Sequence, residues 1–268
     1  MLKHIKYLGF LIAVSVSICS CEKVIEVEQD TSSNQIVIEG NITNQLGQQT
    51  IKISQSVPYT DNNTYPPVTG AIVNVTDDEG RSWIFKESAP GSYTFAPLRG
   101  KTGQTYSLKI SVNNLIFTAS STMPNLVEID SLHVREFEFG GEAQKQMGVH
   151  YRDPADVANQ YRFVMKINGV QSKRVYAEND RFINGNYTSS ILFYSGDDDD
   201  DLKTGDDVEV EMQCIDKNIF TYWYTLSQQT QNGPGGGVTP GNPPSNISNN
   251  ALGYFSAHTV SRSQTKIK

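Results

Sequence analysis

From residue 34 onward, apolar and polar residues alternate in short runs that are separated by turn residues. Because side chains on a strand point alternately to its two faces, each run predicts a half-buried β-strand. Seven short strands at a spacing of about 8–12 residues are typical of a sandwich. Residues 34–123 are therefore predicted to form an immunoglobulin-like or transthyretin-like β-sandwich, with strands at 35–39, 49–54, 71–76, 82–85, 91–95, 105–112 and 115–119.

The second half of the chain, residues 124–268, is predicted to be a second β-rich domain. Pro124 interrupts strand pairing, so residues 120–134 are interpreted as the boundary between the two domains, with a new strand near Ile129. Further strands are predicted at 148–151, 161–167, 174–176, 190–194, 208–215 and 251–260.

One segment of the second half has a helical period instead. Ile219, Phe220, Trp223, Tyr224 and Leu226 recur at the spacing of an amphipathic helix, predicted over 217–229. Trp223, with Phe220 and Tyr224, is expected on its core face. Asn232, Gly233 and Pro234 then end the helix and open a long loop over 232–250.

Composition narrows the class of protein. The 268 residues are 37% hydrophobic and 10% aromatic, which indicates a folded chain rather than a disordered one. A net charge of −7 disfavours a nucleic-acid partner, because such partners need a basic surface. Three cysteines are too few for a disulfide framework or a cysteine-rich zinc site.

The first residues have the order of a secretory signal: basic Lys3 and Lys6, then an apolar stretch, then small residues. Cys19, Ser20 and Cys21 follow Ile18 and resemble a bacterial lipobox. That resemblance implies a lipoprotein signal peptide over 1–20 and lipidation of Cys21, although cleavage one residue earlier or by an ordinary signal peptidase is an alternative. Residues 21–33 are acidic and polar, and are predicted to be a solvated tether, which leaves Cys214 as the one thiol of the fold.

Several motifs along the chain are similar to a large lipoprotein family of Bacteroidota. They include Val37–Gly40 (VIEG), a PVTGA motif at 67–71, GQTYSL at 103–108, and the pair Asn242–Asn246 (NPPSN) and 251–256 (ALGYFS). The family is catalogued as domain of unknown function 4249. The resemblance implies an outer-membrane lipoprotein, exposed at the cell surface and accompanying a TonB-dependent transporter, and it carries over no catalytic residues. Residues 35–112 also resemble carboxypeptidase-regulatory-like sandwiches.

The residues themselves predict no active site. His133, His150 and His258 form no zinc-protease motif, and no nucleophile elbow is present. Ser256 and His258 fall on one face of a predicted strand, where we expect a solvent-facing pair rather than a catalytic dyad. The Gly100–Thr102 segment (GKT) lacks the strand-to-helix setting of a phosphate loop and is interpreted as a turn.

Three weaker features suggest binding or modification. Five adjacent carboxylates lack the spacing of a calcium-binding loop and are interpreted first as a solvated acidic run. Calcium, the only cofactor that the sequence suggests, is the alternative, and its candidate ligands are Asp197, Asp198, Asp199, Asp200 and Asp201. Asp130, Ser131 and Leu132 resemble the O-glycosylation pattern of Bacteroidota, which implies a sugar on Ser131 in the interdomain boundary. Exposed loops carry recognition, which makes Tyr59, Tyr65, Asn242 and Asn246 candidate binding residues.

The leading hypothesis is a non-enzymatic outer-membrane lipoprotein, anchored at the cell surface through Cys21. In this hypothesis it captures a small ligand or peptide for a TonB-dependent transporter, or otherwise assists that transporter. The first alternative is a structural or adhesive surface module without a transporter. The second is an unrecognised hydrolase outside the cytoplasm.

Overall fold

The computed structural model describes residues 35–58, 64–139, 142–192, 202–230 and 241–268. Residues 33–268 form one compact unit. Its described part is mainly β, with fifteen strands and one helix, as the alternating pattern predicts. None of the described helical residues forms a segment long and apolar enough to span a bilayer.

Seven strands come from the first half of the chain, close to their predicted places. Both residues of the Asn113–Asn114 turn have positive φ, 51° and 61°, so β6 and β7 meet in the tight hairpin that the sequence indicates. The strands are β1 (Ile36–Thr43), β2 (Gly47–Gln55), β3 (Ile72–Asp77), β4 (Ser82–Ala89), β5 (Ser92–Leu98), β6 (Thr105–Val112) and β7 (Leu115–Thr122).

The second half contributes eight strands and the helix. The strands are β8 (Ile129–Phe139), β9 (Glu142–Arg152), β10 (Gln160–Ile167), β11 (Val170–Gln171), β12 (Tyr176–Asn179), β13 (Tyr187–Leu192), β14 (Asp207–Cys214) and β15 (Leu252–Lys266), and the helix is α1 (Lys217–Thr230). Strand β15 includes the basic tail, because its residues up to Lys266 pair with β14.

Two sheets organise these strands. The larger has twelve strands in the order β11-β10-β14-β15-β1-β2-β5-β4-β3-β6-β7, with β12 also paired to β10. The smaller has the order β13-β9-β8. Strand β15 lies parallel to β1 and antiparallel to β14, so the last strand of the chain joins the sheet strands of both halves.

The buried side chains of the two halves of the chain form separate clusters, with one exception. One cluster of buried side chains runs from Ile38 to Met123, and another begins at Val127. The exception is Ile247, Ala251, Phe255 and Ala257, which join the first cluster although they lie near the end of the chain. Separate folding of 34–123 and 124–268 stays a prediction, and the described strands show that the two share a sheet.

Close packing between β1 and β15 depends on two glycines. A Cβ on Gly253, where φ is +90°, would lie 2.1 Å from the carbonyl oxygen of Ile38. On β1, a Cβ on Gly40 would lie 2.8 Å from the Phe255 ring. Both positions therefore need a residue without a side chain for this parallel pairing to form.

Helix α1 confirms the predicted segment and begins at a well-defined cap. Asp216 Oδ1 accepts hydrogen bonds from the backbone N–H groups of Asn218 at 2.8 Å and Ile219 at 3.1 Å. Ile219 and Trp223 are buried, as expected, and pack with Tyr254 of β15. Tyr224 is 45% exposed and stacks on Phe220, so its predicted place on the core face is wrong. It lies one residue beyond Trp223, about 100° around the helix.

Candidate functional site

The outer face of the three-stranded sheet carries a stack of three rings, one from each strand. His133 of β8 and His150 of β9 are stacked with centroids 4.2 Å apart and planes 26° apart. Tyr187 of β13 stacks on His150, with ring centroids 5.5 Å apart and planes 6° apart. Neighbouring residues of β9, such as Val149 and Tyr151, point into the core, which assigns this stack to the opposite face.

His133 reaches His150 because the residue opposite it in the sheet has no side chain. The strand register pairs His133 with Gly148. A Cβ on Gly148 would lie 1.9 Å from Cε1 of His133, so the imidazole occupies the space where a side chain would stand. Gly148 is thus the residue of β9 that allows the two imidazoles to meet.

Each of the two imidazoles has a buried nitrogen without a hydrogen bond in the described part of the chain. Nδ1 of His133 and Nδ1 of His150 are both buried, and neither has a hydrogen-bond partner within the described part of the chain. Burial, together with the nearby His150 and Arg135, lowers the pKa of His133. The neutral form of His133 is therefore favoured, and a neutral imidazole nitrogen can act as a base or a metal ligand.

A bulge brings a carboxylate to the same face. Ile129 pairs with Tyr151 and Ser131 pairs with His150, so Asp130 is an extra residue of β8. The Tyr187 hydroxyl donates a hydrogen bond of 2.7 Å to Asp130 Oδ2, which raises the pKa of Tyr187. The face therefore combines two imidazoles, a phenol and a carboxylate within one cluster.

Ser131 is exposed beside this cluster. The strand predicted near Ile129 is confirmed, because β8 begins there and pairs with β9, so Ser131 is a strand residue and not part of a linker. Glycosylation of Ser131 stays a prediction, and any sugar there would stand on a strand rather than on a linker.

Ser256 and His258 are not a solvent-facing pair, so that expectation is wrong. Their exposed fractions are 1% and 3%, although Ser256 Oγ does lie 3.0 Å from Nδ1 of His258. Burial lowers the pKa of His258 to about 4, with the charge of Glu211 opposing this shift. The pair is buried because the face of β15 that carries it is covered. A substrate in solution cannot reach these atoms.

A half-buried arginine lies on the same covered face of the large sheet. The Arg162 guanidinium is 3.5 Å from the centre of the Trp223 ring and donates a hydrogen bond of 3.1 Å to Gln213 Oε1. Burial lowers the pKa of Arg162. Helix α1 thus covers a polar part of the sheet, and the cation–π contact to Trp223 balances part of the cost of desolvation.

The predicted loop residues do not come together in one site. Tyr65 is 55% exposed, Asn242 is exposed, and Tyr59 lies outside the described residues. The Asn246 amide bonds to the backbone of two strands, donating to the carbonyls of Ser120 at 3.1 Å and Phe255 at 2.8 Å. Asn246 also borders an open groove of about 720 Å³ on β3, β6 and β7, where its anchored side chain holds the wall in place.

The predicted calcium residues, Asp197, Asp198, Asp199, Asp200 and Asp201, lie outside the described residues, as does the predicted lipidation site Cys21. Within the described ranges, no group of three or more His, Cys, Asp or Glu residues could hold a metal ion. Asp206 instead caps a turn, where hydrogen bonds from the Lys203 backbone and the Asn168 side chain lower its pKa.

Cys214 is a buried core residue, as its place in a strand suggests. Its Sγ accepts a hydrogen bond of 3.3 Å from the Val127 backbone, and burial raises the pKa of the thiol. A protonated, buried thiol is a poor nucleophile, so Cys214 is an unreactive residue of the core.

Comparison with known proteins agrees with the motifs of the sequence. No curated protein shows significant similarity to the chain. A family model described as a domain of unknown function, DUF4249, matches residues 22–264 and therefore covers nearly all of the chain after the predicted lipidation site. By this match, the chain belongs to the DUF4249 family.

Proposed function

We propose that this protein is a non-enzymatic outer-membrane lipoprotein, anchored through Cys21, that assists a TonB-dependent transporter at the cell surface. The observation that carries this proposal is the order of the segments. A signal-like stretch ends at Cys21, and the family match begins at the next residue. A lipid on Cys21 would then hold the whole family domain at a membrane.

The setting of the nucleophiles supports a role without catalysis. In the described part of the chain, the serine and histidine that lie within hydrogen-bond distance on β15 are buried. Cys214 is buried as well. A nucleophile needs access to its substrate and a base with a suitable pKa, and His258, with a pKa of about 4, is a weak base.

The scaffold supports a role in positioning or binding. Strands β1 and β15 tie both halves into one sheet, and the exposed Tyr65 and Asn242 lie on loops beside it. A rigid sheet with exposed loops is a common arrangement for recognition. In this proposal the transporter, or a ligand on its way to it, meets this surface.

The experiment is expression of the tagged full chain in a Bacteroidota host, followed by membrane fractionation and purification in a mild detergent. We expect the chain in the outer membrane, a mass increase from acyl chains on Cys21, and a TonB-dependent receptor enriched over an unrelated tagged lipoprotein. Cys21→Ala is the matched control and should abolish both the acylation and the membrane fraction.

The outcomes separate the alternatives. Lipidation without any enriched receptor would favour a structural or adhesive surface module. A soluble, unacylated chain would overturn the proposal. Hydrolysis of a chromogenic ester that Ser256→Ala abolishes would favour the hydrolase.

A further inference from the structure

The strands β1–β7 have two ends that differ in charge. At one end the described connections contain no charged residue, and they are 56–58, 64–71, 90–91, 113–114 and 248–251. Residues 59–63, which include Asp61, lie outside the described residues. At the opposite end, the β3–β4 and β5–β6 connections contain five charged residues, which are Asp78, Glu79, Arg81, Arg99 and Lys101. In a chain that is 19% charged, the first end is a distinct surface.

The predicted tether joins the fold at this uncharged end, which we call the tether end. The first described residue is Gln35, and its carbonyl accepts a hydrogen bond of 2.9 Å from the Ser56 backbone. Thirteen residues, 22–34, separate Gln35 from Cys21, and even fully extended this length of chain spans at most about 50 Å. The tether end is therefore the part of the fold that follows the predicted lipid most closely along the chain.

Large apolar and aromatic side chains are exposed at the tether end. They are 46–68% exposed, and they are Tyr65, Ile72, Leu115 and Ile116. Ile72 and Ile116 stand in one cross-strand row, because each pairs with Ser111 of β6. Tyr65 precedes Pro66, whose carbonyl accepts a hydrogen bond of 2.9 Å from the Gln55 backbone at the end of β2. Single exposed apolar residues are normal on a protein surface, whereas a group of them on an uncharged end indicates an interaction surface.

We propose that the tether end is a membrane-contact surface, which rests on the lipid anchor of the proposed function and adds a second contact to it. Isoleucine and leucine gain free energy on leaving water, and tyrosine favours the interface, where its ring lies among the headgroups. The opposite end could not make this contact, because its five charged side chains would lose hydration. The partner is the bilayer that holds the lipid, since the chain from Cys21 enters the fold here.

Membrane contact at the tether end fixes the direction of the fold. Strand β15 starts at this end, where Leu252 pairs with Val37. It has 15 residues, a length of about 50 Å, and its far half pairs with β14, which in turn pairs with β10. These strands of the second half are therefore directed away from the membrane surface.

The test uses the lipidated full chain in vesicles of phosphatidylcholine and phosphatidylethanolamine, with an environment-sensitive fluorophore on an introduced cysteine. Leu115→Cys places the label at the tether end. Leu46→Cys is the matched control, because Leu46 is an exposed leucine in the β1–β2 connection, at the opposite end. Cys214 is buried and Cys21 carries the lipid in this proposal, so the label reacts with the introduced thiol.

After flotation with the vesicles, the Leu115→Cys label should emit at a shorter wavelength and should be quenched by lipids that carry a nitroxide near the headgroup. The Leu46→Cys label should keep the emission of a label in water. Ile116→Cys is a second position at the tether end and should behave as Leu115→Cys does. Adding Leu115→Glu to the Ile116→Cys chain should reduce the quenching, because a carboxylate resists leaving water. Circular dichroism shows whether each variant folds.

A floating protein whose Leu115 and Ile116 labels stay in water would overturn the membrane contact and leave the lipid anchor standing. A chain that carries no lipid and does not float would overturn the anchor and the contact together. Quenching of the Leu46 label alone would place the opposite end at the membrane and contradict the proposal. Shielding of the tether-end labels only when a co-purified receptor is present would make this end a protein interface instead.

Discussion

Histidines occur in two contrasting regions of this molecule. His258 lies on β15 beneath other elements, is 3% exposed, and has Ser256 as its hydrogen-bond partner. His133 and His150 lie on the outer face of a small sheet, stacked on each other, with no partner for Nδ1 in the described structure. The same residue type is therefore buried and hydrogen-bonded in one region, and half-buried and stacked on another imidazole in the other. What differs is the layer that covers the strand.

The largest effect is expected in the region that helix α1 covers. If the protein kept its stability after losing part of this cover, the contrast between the two regions would be wrong. Trp223→Ala removes the ring that packs on Arg162 and Tyr254. We expect the free energy of unfolding to fall by about 3–5 kcal/mol, because a large buried side chain is lost. Urea denaturation followed by circular dichroism measures this. Tyr187→Ala is the counterpart on the outer face, and an equal loss there would contradict the contrast between the regions.

Acid should destabilise the protein through the buried histidine. Because the folded pKa of His258 is about 4, below its usual value near 6.5, the unfolded chain binds more protons between these pH values. The His258 contribution is fully present above about pH 6.5 and is lost as the pH falls towards 4, by about 3 kcal/mol.

His258→Gln removes this titration while keeping a polar group beside Ser256. The difference in unfolding free energy between wild type and variant should therefore shrink from pH 7 to pH 4. A difference that stays constant with pH would show that His258 does not titrate as its burial requires.

Gly148→Ala tests the second region, the outer face of the three-stranded sheet. A Cβ at this position overlaps the His133 imidazole, so the ring must leave the stack or the strands must shift. We expect the free energy of unfolding to fall by about 1–3 kcal/mol, which is typical of overpacking. Gly47→Ala is the matched control, since no atom lies within 4 Å of the added Cβ. Thermal melting tests both variants, and an equal loss in Gly47→Ala would contradict the close contact at Gly148.

The smallest effect is expected for Tyr187→Phe. It removes one hydrogen bond, to Asp130, at a tyrosine that is 49% exposed. The free energy of unfolding should fall by less than about 1 kcal/mol. A loss of several kcal/mol in urea denaturation would mean that this face is as closely packed as the face beneath α1.

Local pattern was enough to predict most elements. The Asn113–Asn114 turn and the helix from Lys217 follow from turn chemistry and from a change of period, both of which are short-range signals. The family motifs likewise predicted the match over residues 22–264. Such signals depend on neighbours in sequence, which one chain shows directly.

Burial of Ser256 and His258 could not be predicted in this way. Alternation on β15 shows that the two side chains share a face, but it does not show what covers that face. The cover includes helix α1, whose Trp223 packs on Tyr254 of β15. Strands that are covered on both faces have few charged residues, and the absence of Asp, Glu, Lys and Arg from 251–260 is the signal that could have indicated this burial.

The histidine pair could have been found from its register. Gly140 and Gly141 are a two-residue hairpin signal, and a hairpin centred there places His133 opposite Gly148. His150 is then a diagonal neighbour of His133, within reach of a ring. A motif with a fixed spacing, such as that of zinc proteases, does not reveal this histidine pair, because cross-strand partners are set by the symmetry of the hairpin.

The parallel pairing of β1 with β15 has a consequence for how the chain matures. β1 lies near the start of the described residues, yet its parallel neighbour β15 is synthesised more than 200 residues later. Contacts of such long sequence separation slow folding. Until β15 arrives, β1 presents a bare sheet edge, which is a template for aggregation. Because β1 pairs with residues Leu252–His258, removal of this segment would expose the edge of β1, although the two segments lie more than 200 residues apart in sequence.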